Sequence, residues 1–307
     1  MEIIKKLENK TIRTNMGISA KDFKPQRSIA YFDNQEVKNR IIRFQKKRDL
    51  GKVVFVPNWR AREAQWSPFL DSLTKQFSVD YFESREKSGT KFVSERIDLG
   101  VSKIGEDLAN YLNQLDEPYH LVGASIGTSS IIKIWDQLIH KPLSLTFICP
   151  ILQLRLPVYF RLFQFIPNGA IPFIVPGVNF LLKHSKQMKG VARALRPYFQ
   201  KKEVQELSLI RNSAGALLKT KMKLSEVEKI DRPTMVLFAE EDRIHLKRDA
   251  NLISSALPDA FTAGFENFRA LHKQASGRVV GEWIKANTDM VQKIGFHLTE
   301  GNQLPEN

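Results

Sequence analysis

From about residue 50 onward, short apolar runs alternate with stretches whose apolar residues recur every three or four positions. GKVVFVPNW carries a run of β-branched and aromatic residues, the composition of a strand buried on both faces of a parallel sheet. Between Gln65 and Gln76, residues Trp66, Phe69, Leu70 and Leu73 share one helical face. FSVDYF reads as the next strand, and Ile104, Leu108, Leu112 and Leu115 line one side of a helix from about Lys103 to Leu115. The alternation continues with YHLVGA as strand, SIGTSSIIKIWDQLI as helix and LSLTFICPI as strand. After a break it resumes with RPTMVLFAEED, then LISSALP, the strand AFTAGFE and a final helix around SGRVVGEWIKAN. Before residue 50, RSIAYFD and VKNRIIRFQKK read as the arms of a β-ribbon turning near Asn34. Such alternation predicts an α/β protein, with a mostly parallel central sheet flanked by helices.

The break covers residues 151–226. Pro157, Pro167, Pro172 and Pro176 crowd its first part, and its remainder is helix-like. The expected organisation is therefore a core in two parts, 1–150 and 227–307, separated by a helical cap at 151–226. A chain of 307 residues is long enough for one large domain with such an insert.

Charge changes this picture most in the cap. The whole chain carries a net charge of +14, and residues 151–202 hold nine Lys or Arg with no Asp or Glu. The same stretch contains VYFRLFQFIPNGAIPFIVPGVNFLL, rich in Phe, Leu, Ile and Val. An apolar lid with basic side chains suits an acyl chain and peripheral contact with an anionic membrane. A solvated basic face, with apolar residues packing the insert onto the core, accounts for it equally well. No nucleic-acid-binding motif accompanies the charge, so a nucleic-acid partner is not expected. No window of 18 uninterrupted apolar residues predicts a membrane span, and MEIIKKLENKTIRTN lacks the apolar core of a secretory leader. The one cysteine, Cys149 in LTFICPIL, reads as a small core residue. A cytoplasmic location, with peripheral membrane contact as an option, fits these features.

Candidate chemistry centres on Gly123-Ala124-Ser125-Ile126-Gly127, a G-x-S-x-G pattern between an apolar strand and a helix-compatible run. That setting holds a serine on a strained turn at the carboxyl end of a central strand. A serine hydroxyl needs a base within hydrogen-bond reach, and the base needs an acid. Asp242 lies just beyond the strand in PTMVLFAEEDRI and is the expected acid, with Glu241 as fallback. Of the six histidines, His245, His272 and His297 follow it. His245 shares the acid's own loop, three residues on, and His297 lies in the C-terminal tail. His272 falls in the loop between AFTAGFE and the last helix and is the expected base. Oxyanion donors are expected from the Ile126 N–H and from the loop after VVFV, where Pro57 has no N–H and Trp59 or Asn58 must donate.

With these residues in place, residues 50 to 290 resemble the α/β-hydrolase superfamily. GASIG resembles its nucleophile elbow, LFAEEDRIH its acid strand, and the Phe265–His272 loop its histidine loop. YFESREKSGT resembles a segment of prokaryotic serine hydrolases of the esterase or lysophospholipase type. Two departures stand out. Pro57-Asn58 replaces the usual His-Gly of the oxyanion loop, and Phe268 sits where some relatives place the base. The resemblance implies an α/β-hydrolase fold with a cap, and hydrolysis of an ester of a small or lipid-like acyl substrate. A Ser125–His272–Asp242 triad would carry the reaction, with no metal and no cofactor. Acyl transfer by the same triad, or a non-catalytic binding role on the same fold, are the alternatives.

Overall fold

The computed structural model describes residues 25–46, 49–94, 97–153, 165, 167, 170, 204–242 and 244–300. Strands are β1 (Gln26–Asp33), β2 (Val37–Gln45), β3 (Lys52–Val56), β4 (Ser78–Phe82), β5 (Lys91–Phe92), β6 (Tyr119–Ala124), β7 (Leu145–Ile148), β8 (Thr234–Ala239) and β9 (Ala260–Phe265). Helices are α1 (Glu63–Leu73), α2 (Val101–Leu112), α3 (Ile126–Lys133), α4 (Val204–Leu218), α5 (Leu224–Val227), α6 (Lys247–Ala256) and α7 (Gln274–Glu300). One sheet runs β1-β2-β4-β3-β6-β7-β8-β9, with β5 beside β2. The pairs from β4 through β3, β6, β7 and β8 to β9 are parallel, and β2 pairs antiparallel with β1, β4 and β5. The mostly parallel sheet flanked by helices is thus as the sequence pattern predicts, and the ribbon before residue 50 forms its antiparallel edge.

Alternation along the central strands divides the core into two layers. Val54, Val56, Leu121, Phe147 and Val236 pack with α2, α3, α5 and α6 on one face. Val53, Phe55, Val122, Ile148, Met235 and Leu237 pack with α1 and α7 on the other. The α1–α7 contact is close enough that a Cβ at Gly277 would lie 2.5 Å from the Phe69 carbonyl oxygen. The run after the elbow stays α-helical for less than its pattern predicts: α3 ends at Lys133, and Trp135–Gln137 forms a 3-10 turn. Ile134, at φ −103° and ψ 5°, breaks the helix and turns Trp135 into the core.

The order of strands decides where a ligand can bind. From β3 the chain passes through α1 to β4 on one side, whereas β6 lies on the other side of β3. The carboxyl ends of β3 and β6 therefore flank a topological switch point, the crevice where open parallel sheets bind ligands. Between β7 and β8 the described part of the insert contributes the Gln153–Lys221 bridge, α4 and α5. Apart from residues 165, 167 and 170, the rest of the expected cap from 154 to 203 lies outside the described residues, including Pro157, Pro172 and Pro176. Among the described residues no helix is long and apolar enough to cross a membrane.

His120 ties the layers together. Its Nδ1 lies 2.8 Å from Ser144 Oγ and its Nε2 2.9 Å from Thr288 Oγ1, linking β6 to α7. Burial pushes this imidazole from 6.5 down to about 4. The folded state thus binds fewer protons there than the unfolded chain, so stability is full above the unfolded value and is lost as pH falls through the folded one. Urea titrations between pH 6.5 and about 4 are expected to show a His120-dependent loss of up to about 3 kcal/mol. His120→Gln should flatten that slope.

Candidate active site

The Ser125 backbone sits at φ 52° and ψ −111°, outside the favoured regions for an L-residue. The Ser125 N–H donates to the Ile148 carbonyl at 2.8 Å, and the Ser129 N–H donates to the Ser125 carbonyl at 3.2 Å. Both elbow glycines are required by close approach. A Cβ at Gly127 would meet the Val56 carbonyl oxygen at 2.1 Å, and one at Gly123 would meet the Thr128 nitrogen at 2.8 Å. The elbow is thereby pressed against the end of β3, where the Pro57–Arg60 loop begins. Ser125 opens α3, so the Ile126 N–H belongs to a helical first turn that has no intrahelical acceptor.

His245 Nε2 lies 2.9 Å from Ser125 Oγ, and His245 Nδ1 lies 2.7 Å from Asp242 Oδ2. The ionised acid can only accept, so Nδ1 carries the proton and Nε2 accepts from the serine hydroxyl. Asp242 is tied down further, because its Oδ1 accepts the N–H groups of Ile244 at 2.8 Å and His245 at 3.1 Å. Burial raises the Asp242 carboxyl, but the His245 hydrogen bond and the two loop N–H groups outweigh it and hold it below its ordinary range. Glu241 is exposed, its N–H donating to the Glu266 carbonyl, and takes no part.

The expected base, His272, does not reach the serine. It lies in a 3-10 turn, Ala270–His272, with Nδ1 2.9 Å from its own loop's Phe268 carbonyl and its ring 4.0 Å from that of Trp66. Those contacts turn it toward α1. Burial depresses its pKa, keeping the ring neutral. The ring that faces His245 from this loop is Phe268, stacked at 4.8 Å and 16°. His297 lies outside the described side chains and His184 outside the described residues.

His245 reaches because of how β7 ends. Strands β6 and β8 are separated by β7 alone, roughly 10 Å between their axes. β7 stops at Ile148, while β8 continues to Ala239. Cys149 turns away at φ 47°, its N–H donating to the Leu237 carbonyl at 2.7 Å. The loop after β8 therefore leans across the end of β7, and Cys149 lies beneath the Asp242–His245 pair, with ligating atoms of all three within 4.8 Å of one another. As expected, Cys149 is a buried core thiol, and burial with the nearby Asp242 charge pushes its pKa far up. The local signal for the base is the Asp-x-x-His spacing; nothing in the sequence alone shows the loop's lean.

Of the expected oxyanion donors, Ile126 and Trp59 both line a small cavity of about 20 Å³ beside Ser125. Val101, Ile151, Leu217 and Met222 make its walls apolar. The last two come from the end of the insert, a contribution the sequence pattern does not single out. The Asn58 side chain is anchored elsewhere, its Oδ1 accepting from Trp66 Nε1 at 2.9 Å. Its carbonyl accepts from Lys87 Nζ at 2.9 Å and from the Ala61 N–H at 3.1 Å.

Neither a protein-family model nor a curated protein matches the sequence. Solved structures do match in shape. A thermophilic esterase from Thermogutta terrifontis superposes with a TM-score of 0.63 at 13% identity, covering 86% of this chain and 99% of its own. A membrane phospholipase A, described as a bacterial virulence factor, gives 0.61 at 15% identity, with 87% of each chain covered. A bromoperoxidase from Bacillus anthracis gives 0.61 at 15% identity, covering 86% of this chain and all of its own. The chain has the α/β-hydrolase fold. The differing chemistries named for these neighbours leave activity to be argued from the site.

Gly127→Ala tests the geometry of the elbow directly. With a methyl driven against the Val56 carbonyl, urea denaturation is expected to show a loss of more than about 2 kcal/mol.

Proposed function

We propose that the protein is a serine hydrolase of carboxylic esters, in which Ser125, His245 and Asp242 form the catalytic triad. The observation that carries this reading is the unbroken chain of hydrogen bonds from Asp242 through both ring nitrogens of His245 to Ser125 Oγ. The elbow strain, the apolar cavity and the fold support it.

The Ser125 hydroxyl attacks the ester carbonyl carbon as its proton passes to His245 Nε2. The carbonyl oxygen becomes an oxyanion, received by the Ile126 and Trp59 N–H groups. Asp242 stabilises the imidazolium and keeps its Nδ1 proton in place. Collapse of the tetrahedral intermediate breaks the bond to the leaving alkoxide, which takes the Nε2 proton and departs as the alcohol. Water then attacks the acyl-enzyme while His245 accepts its proton, and a second collapse releases the acid and restores the Ser125 hydroxyl. No step calls on a metal or cofactor.

The apolar lining beside Ser125 suits an ester whose acyl group is apolar next to the carbonyl. A lipid-like ester fits the net charge of +14, which draws the protein to anionic surfaces, and one structural neighbour is named a phospholipase. On this reading the protein is cytoplasmic and touches membranes peripherally.

A fluorophosphonate probe is expected to label the protein at Ser125, and Ser125→Ala to abolish labelling. With p-nitrophenyl esters of rising chain length, His245→Ala should cost at least about 10⁴-fold in kcat. His272→Ala, which disturbs only the packing of Trp66 and Phe268, should stay within about tenfold of wild type, the cost of a small misplacement. Equal losses in the two variants, or labelling that survives Ser125→Ala, would remove this assignment.

A further inference from the structure

The densest buried charge outside the triad lies in the loop after β4. Glu86 is fully buried and Lys87 is 2% exposed, and Lys87 Nζ lies 2.7 Å from Glu86 Oε1. Desolvating such a pair is costly, and an apolar pair of similar volume often serves stability as well or better. Stability alone therefore gives no reason for these two charges. What the pair touches gives one.

Lys87 Nζ donates to the Asn58 carbonyl, and the guanidinium of Arg60 donates to the Glu86 carbonyl at 2.7 Å. Both contacts fall on the Pro57–Arg60 loop. With Ala61 N–H as second donor, the Asn58 carbonyl oxygen is held from two directions. In a trans peptide the carbonyl and the following N–H point in opposite directions. Fixing the Asn58 oxygen on the Lys87 side therefore aims the Trp59 N–H the other way. Trp59 borders the cavity that Ser125 and Ile126 line. A cationic donor on the carbonyl also polarises the peptide, strengthening its N–H as a donor. The adjoining Arg60, at φ 54°, shows that the loop is held in a conformation that L-residues rarely adopt.

We propose that Lys87 is a positioning residue for the oxyanion hole: braced by Glu86, it clamps the Asn58 carbonyl and so aims the Trp59 N–H at the oxygen that becomes negative when Ser125 attacks. This rests on the serine-hydrolase reading above. Lys87 touches no reacting atom, so its effect falls on the transition state and leaves ester binding alone.

The test uses the full chain with Lys87→Met, and with the double variant Lys87→Met and Glu86→Met, which removes both charges and keeps a folded comparison if the single variant leaves Glu86 unpaired and unfolds. For p-nitrophenyl ester hydrolysis, the folded variants are expected to lose about 10–100-fold in kcat, with KM within about twofold, the pattern of a lost transition-state interaction. Affinity for an aryl trifluoromethyl ketone, which adds to a serine to form a tetrahedral oxyanion, should fall in parallel with kcat. A folded double variant with wild-type kcat and ketone affinity overturns the proposal, as does a loss confined to KM. Failure of the underlying reading is seen separately, as wild-type protein that a fluorophosphonate does not label.

Discussion

An imidazole held at both ring nitrogens is the constraint around which the site is built. Asp242 accepts the hydrogen bond of the His245 Nδ1–H, and the Ser125 hydroxyl faces Nε2. Each bond sets the meaning of the other, because the acid selects the tautomer whose free lone pair points at the serine. Asp242 and His245 stand three residues apart in one loop, and Asp242 also accepts two N–H groups of that loop. Their mutual geometry is consequently local, and only the approach of the loop to the elbow depends on tertiary structure. Phe268, stacked on the imidazole, closes its outer face.

That approach depends in turn on the sheet. A short β7, the turn at Cys149 and a longer β8 let the loop lean over the gap between β6 and β8. On the other side of the elbow, Gly127 lets α3 press against the end of β3, from which the Pro57–Arg60 loop emerges. Ser125 thus has His245 arriving from across β7 and the Pro57–Arg60 loop arriving from β3. A polar chain links that loop outward: Asn58 is gripped at its carbonyl by Lys87 and at its side chain by Trp66, whose ring packs on His272. His272, the expected base, instead packs on Trp66 and bonds the Phe268 carbonyl.

Much of this was legible in the sequence because it is local. Apolar runs and helical periods identify the strands and helices of the core, and G-x-S-x-G after YHLV places Ser125. PTMVLFAEED likewise places Asp242 beyond a late strand. That His245 and not His272 lies beside Ser125 has a physical reason that chain order does not carry. Chain order marks His272 as well as His245, and the choice between them turns on strand lengths and loop direction. A strand that ends two residues early leaves no trace in hydrophobic periodicity. The Lys87–Asn58 hydrogen bond is equally hidden, since the two residues lie 29 positions apart and meet through the β3–β4 pairing. The resemblance of YFESREKSGT to hydrolase segments marks that region without showing what it holds.

The whole arrangement requires the Nδ1–H of His245 to be hydrogen-bonded to Asp242. Proton NMR of protein labelled with ¹⁵N at histidine tests it most directly, because an imidazole N–H held by a buried carboxylate resonates far downfield of other exchangeable protons. One such signal, attached to an imidazole nitrogen, should vanish in His245→Gln and in Asp242→Asn and persist in His272→Gln. A signal that persists in His245→Gln and disappears in His272→Gln would show that His245 is not the imidazole paired with Asp242.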